Sequence, residues 1–123
     1  MCLHVKKYQF PNYAIPGLKH HFYKIVSPSY KSPCWPSTNI TWQIGNIIKA
    51  SGEPYGPYIE DGALHLFVTE EDSKDYWVFS EQPDARIMVC EVDDGDIIAW
   101  GMRGDVAVKC CTVIREIQRM NDE

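Results

Sequence analysis

Arg86-Ile87-Met88-Val89-Cys90-Glu91-Val92, then Asp93-Asp94-Gly95-Asp96, then Ile97-Ile98-Ala99-Trp100, is the stretch that decides the fold. Two apolar runs of strand length flank a short acidic turn, in which Gly95 is free to take positive φ. Downstream, Gly101-Met102-Arg103-Gly104 is a second turn, and Val106 to Ile117 reads as one long strand or two short ones. Upstream, Ala63-Leu64-His65-Leu66-Phe67-Val68 is apolar on both faces, which puts it in the middle of a sheet. Thr69 then caps a helix. Asp72 stands three residues on, and Glu70, Glu71 and Asp72 place negative charge at the positive end of the helix dipole. The helix is expected to reach about Phe79, short of Pro83.

Further toward the N-terminus, residues 51–62 carry Gly52, Pro54, Gly56, Pro57 and Gly62 and form a long loop of the functional or mobile kind. Ile40-Thr41-Trp42-Gln43-Ile44 alternates apolar and polar residues, as a half-buried strand does, and Gly45-Asn46 turns it into Ile47-Ile48-Lys49. Pro28, Pro33 and Pro36 make Ser27 to Thr38 a loop, and Phe22 to Val26 is a strand by its β-branched and aromatic content. Before it, Leu3, Val5 and Phe10 suit a short strand, ahead of the breakers Pro11, Pro16 and Gly17. The expected class is α+β, a mainly antiparallel sheet of about six strands with one principal helix. The expected organisation is a leader (1–21), a single compact domain (22–118) and a polar tail (119–123).

The chain has 123 residues, enough to bury a core without disulfide staples. With 45% hydrophobic and 24% charged residues, it is not a disordered chain. A net charge of −5 and a pI near 5.3 argue against a general nucleic-acid binder, which carries a basic patch. No apolar run approaches the roughly 18 residues of a membrane span, and the N-terminus lacks the apolar core of a signal peptide. The expected location is cytoplasmic, with neither nucleic acid nor membrane as partner. The five cysteines, Cys2, Cys34, Cys90, Cys110 and Cys111, are odd in number and contain no C-x-x-C pair, so reduced thiols are expected. No cofactor or metal is expected. Asp93, Asp94 and Asp96 lack the spacing of a calcium loop and read as a turn.

Residues that carry chemistry are sparse. His65 sits mid-strand among apolar neighbours; its imidazole suits contact with a phosphate or ribose hydroxyl, or general-base work, against the alternative of a hydrogen-bonded core histidine. Four Trp and seven Tyr outnumber four Phe, a balance that suits stacking on a base or sugar. Trp35 and Trp42 flank the long loops, with core packing the alternative for Trp42. Lys24, Arg86, Arg103 and Lys109 are the isolated cations from which a phosphate site is built, unless they are solvated surface charges. The ligand-binding candidates are Lys24, Trp35, Trp42, His65, Tyr76, Arg103 and Lys109, and no catalytic residue is assigned.

The ordered elements Phe22-Tyr23-Lys24, Trp42-Gln43-Ile44-Gly45, Gly62-Ala63-Leu64-His65-Leu66-Phe67 with a helix to Tyr76, Ala85–Val92 and Lys109–Ile117 form one pattern. It resembles a small domain family of unknown function, common in phages and bacteria and sometimes found ahead of pentapeptide repeats. Here Ala63 intervenes between Gly62 and Leu64-His65, where the family pattern has Gly directly before Leu-His, and the leader is longer. The order of the Tyr23-Lys24 and Leu64–Tyr76 elements is also similar to the ADP-ribosyltransferase-like fold, which implies a nucleotide-shaped pocket. Three readings follow. The first is a non-enzymatic phage-type protein, acting in the host cytoplasm. It sequesters a phosphorylated, nucleotide-derived signal of host defence, an ADP-ribose derivative or a cyclic dinucleotide, and forms a homo-oligomer that helps enclose it. The second is an NAD-using transferase in which His65 and Tyr76 orient the ligand and Glu91 or Glu116 steadies a cationic sugar. The third is an acidic module that inhibits a host protein.

Overall fold

A computed structural model describes residues 5–31, 40–50, 63–74 and 84–117. Among them are eight strands: β1 (Val5–Tyr8), β2 (Lys19–Val26), β3 (Ile47–Lys49), β4 (Leu64–Phe67), β5 (Arg86–Asp93), β6 (Ile97–Gly101), β7 (Asp105–Val108) and β8 (Cys110–Ile117). One helix, α1 (Glu70–Lys74), follows β4. The residues expected to extend it to Phe79 lie outside the described ones. Its cap is as the sequence suggests: Thr69 Oγ1 accepts from the Asp72 N–H at 3.1 Å and donates to Asp72 Oδ2 at 2.9 Å.

The sheet runs β1-β6-β7-β4-β2-β5-β8-β3, antiparallel at every pairing. The architecture is mainly antiparallel β, with eight strands in place of about six. The count rose for two reasons. β1 pairs with β6, which brings part of the leader into the sheet, and Val106–Ile117 divides at Lys109 into β7 and β8. The expected domain start at residue 22 falls inside β2, which begins at Lys19. β4 lies between β7 and β2, the central place its two apolar faces require.

Two half-sheets meet at a weak seam. β2 runs in register with β5 along its whole length, yet β2 and β4 share the single pair Tyr23–Phe67. Phe22 and Val26 of β2, Leu64 and Leu66 of β4, Met88 and Cys90 of β5 and Val106 of β7 belong to one buried cluster, so the sheet folds over on itself around a common core. The Phe22 and Trp100 rings, 5.7 Å apart on strands that are not neighbours, mark the fold-over.

One turn expectation and one strand expectation fail. Asp94–Asp96 forms a short 3-10 turn, Gly95 is not in the left-handed region, and β5 and β6 are not paired. The cause is Asp94. Its buried carboxylate accepts from the Ile15 N–H (2.9 Å), Gln9 Nε2 (3.0 Å) and His20 Nε2 (2.8 Å), which pulls the turn toward the leader instead of closing a hairpin. Ile40–Ile44 is likewise no strand. Only Thr41 makes a bridge, to Lys31. Asn46 Nδ2 takes the Thr41 carbonyl and the Asn46 N–H takes that of Gln43, so these two carbonyls are unavailable to a ladder. The Trp42 N–H donates to the carbonyl of Tyr30, which holds a left-handed φ of 67°.

The three donors, Ile15 N–H first, hold the Asp94 carboxyl below its ordinary value of 3.8. A lowered native value means that the folded state favours the ionised form. The stabilisation is therefore complete above pH ~4 and drains as the pH falls through 3.8 toward the native value. Acid titration followed by tryptophan fluorescence is expected to show this limb in the wild type and a shallower one in Asp94→Asn. Identical limbs would mean the carboxylate anchors nothing.

Candidate anion-binding site

The seam between β2 and β4 is where the chemistry collects. Strand alternation turns Phe22, Lys24 and Val26 toward the core, so β2 carries a lysine into an apolar interior. Lys24 is only 8% exposed. Past the Tyr23–Phe67 pair the two strands cease to pair, and Lys24 Nζ donates to the His65 carbonyl at 3.0 Å where a backbone N–H would otherwise serve. The ammonium also lies 5.1 Å from the centroid of the Trp42 ring, a cation–π contact removed from water.

Trp42 is fully buried, as the core reading of this residue expects, yet its indole N–H has no acceptor among the described residues. A buried donor left without a partner costs ~1–3 kcal/mol and calls for an explanation. Two donors, an ammonium and an indole N–H, thus share one apolar interior. The Cys111 thiol shares a hydrogen bond with Cys90, which together with burial pushes its ionisation far up; the charge of Lys24 acts in the opposite sense. The Cys111 thiol stays protonated and contributes no negative charge to the site.

The candidates fare differently. Lys24 and Trp42 come together. His65 joins them through its backbone carbonyl, because Leu64 and Leu66 face the core and alternation turns its imidazole to the other face. Arg103 is exposed in the β6–β7 turn, and Lys109 is half-buried beyond the other end of β7, where its charge acts on Asp96. The four-residue strand β7 separates them, so those two cations stand at opposite ends of it. Trp35 and Tyr76 lie outside the described residues. Neither proposed catalytic carboxylate is placed like a free base at the seam. Glu91 stands on the opposite face of β5 from Met88 and Cys90, 3.5 Å from His21. Glu116 is held by Arg86 Nη1 at 2.8 Å and by the Tyr30 hydroxyl at 3.1 Å. Among the described residues, no group of three His, Cys, Asp or Glu side chains is disposed to hold a metal ion. No helix among them is long and apolar enough to cross a membrane.

The Arg86–Glu116 pair borders a cleft of about 640 Å³ that Asp84, Arg115, Ile44 and Ile117 also line. Its two cations are matched by two carboxylates, and Arg86 is fully engaged: it stacks on Tyr30 at 4.8 Å and donates through Nε to the Pro28 carbonyl. This is a clamp that ties β5, β8 and the Ser27–Lys31 turn together. Sequence reading passed over the clamp, the Asp94 hub and the Cys90–Cys111 pair, because their partners are remote along the chain.

No protein-family model, curated protein or solved structure matches this chain.

Proposed function

We propose that this chain binds a phosphorylated, nucleotide-derived small molecule without turning it over, and that its role is sequestration. For a protein of phage type the ligand would be a nucleotide signal of host defence, such as an ADP-ribose derivative or a cyclic dinucleotide. The observation that carries this is the pair of buried donors at the β2–β4 seam, Lys24 Nζ and the Trp42 indole N–H. An anionic oxygen would accept from the indole N–H, with the charge of Lys24 close by to attract it. The positions of Glu91 and Glu116 favour binding over transfer, since neither is disposed to steady a cationic sugar beside Lys24.

Calorimetry with ADP-ribose, NAD and cyclic dinucleotides tests the proposal, with adenosine and inorganic pyrophosphate separating the contributions of base and phosphate. Phosphorylated compounds are expected to bind, adenosine is not, and the bound compound should be recovered with unchanged mass after denaturation. Trp42→Phe removes the indole N–H and is expected to weaken binding about 10-fold. Absence of heat from the whole panel at ligand concentrations on the order of 100 μM, a threshold near −5.5 kcal/mol, rejects it. A changed ligand mass would instead favour the transferase reading.

A further inference from the structure

We propose that residues 8–18 form the surface through which two copies of this chain associate as a closed dimer. This inference is independent of the ligand. Tyr8, Phe10, Tyr13, Ile15 and Leu18 are 53, 56, 82, 59 and 40% exposed, five large apolar side chains in one short segment. The segment is not a loose tail. The Gln9 N–H donates to the Ile98 carbonyl at 2.8 Å, and Gln9 Nε2 to the Asp94 carbonyl at 2.7 Å. The Ile15 N–H donates to the Asp94 carboxylate, the Asp94 N–H to the Leu18 carbonyl, and Trp100 Nε1 to Gln9 Oε1. Gln9 and the backbone groups at Gln9, Ile15 and Leu18 are bonded inward while the five apolar side chains face out. Ordering the segment makes sense when something apolar covers it.

The area points to a second copy. These five side chains expose on the order of 500 Å². Doubled across a twofold axis, that is about 1,000 Å² before neighbouring backbone is counted, at the threshold of a specific interface. A patch that meets itself across a twofold closes after two copies. The adjoining edge strand β1 carries Lys6 and Lys7, and pairing β1 with itself would set like charges opposite one another, so contact goes through the apolar face and not by extending the sheet. At the other sheet edge, among the described residues, only Ile44 and Ile47 are comparably exposed, too little for a stable interface.

Sedimentation velocity on the full chain from about 1 to about 100 μM tests this. The expected species has twice the 14.1 kDa chain mass. It should persist in about 0.5 M salt, because an apolar contact is not screened. The double variant Tyr13→Glu, Ile15→Asp is expected to raise the dimer dissociation constant about 30-fold or more with an unchanged circular dichroism spectrum. Phe10→Gln is the milder variant to use if the double one does not fold, with the same direction expected. Ile47→Asp is expected to leave the dimer intact. A wild type that is monomeric throughout the range, an open-ended series of larger species, or a dimer lost in Ile47→Asp and kept in the leader variants overturns the proposal.

Discussion

Lys24→Met is expected to fold and to lose its ligand. Methionine matches the length of the lysine stem and suits the apolar surroundings of Phe22, Val26 and Met88, so packing is preserved. Two effects on stability oppose each other. The His65 carbonyl loses its donor, which costs ~1–2 kcal/mol, while removal of a buried charge relieves desolvation. The melting temperature should therefore move by only a few degrees. Binding has no such compensation. A charge-assisted contact to phosphate, made where water is excluded, is lost outright, and the affinity should fall about 100-fold or more, ~2.7 kcal/mol. Calorimetry and thermal denaturation on the same preparation separate the two quantities. A variant that binds as well as the wild type removes Lys24 from the site. One that does not fold marks it as a strut between β2 and β4.

Gly101→Ala is expected to be the most destabilising conservative change in the described sheet. A Cβ at this position would lie 2.7 Å from Cγ of Asp105 and 3.1 Å from the Asp105 carbonyl oxygen. Neither can move away cheaply. Asp105 is only 3% exposed, its carboxylate accepts the Arg103 N–H at 3.3 Å in the β6–β7 turn, and its backbone is paired with Phe67 of β4. Overpacking of this kind costs ~2–4 kcal/mol, which at this chain length lowers the melting temperature by about 8–16 °C. Gly45→Ala is a useful contrast. A Cβ there meets nothing within 4 Å, so only its φ of +94° opposes the change, at a cost of ~1 kcal/mol. If Gly101→Ala melts within 2 °C or so of the wild type, the close approach of Asp105 to β6 is not rigid.

Much of the fold is legible in short windows. Arg86–Val92, Ile97–Trp100 and Leu64–Phe67 are strands because β-branched and apolar residues fill them from turn to turn, and Thr69 with Asp72 starts a helix by a contact three residues long. The failures occur where a side chain answers to something distant. Ile40–Ile44 has strand alternation, but the Asn46 amide and the buried indole of Trp42 pull it out of the ladder. Asp93–Asp96 has the composition of a hairpin turn, but the leader claims Asp94. Of the candidate site, the sequence pointed to Lys24 and Trp42 singly. That His65 serves through its carbonyl, and that Arg103 and Lys109 stand at opposite ends of β7, follow from strand register.

Taken alone, the sequence determined most of the strands, the helix start and an antiparallel sheet, since periodicity and capping act within a few residues of each other. The tertiary structure decided which groups meet: Lys24 with a carbonyl 41 positions away, Asp94 with His20 at 74 and with Gln9 at 85. No local pattern encodes such pairings. They appear only when a curled sheet closes those separations and leaves each polar group the choice between the partner it finds and the cost of burial without one.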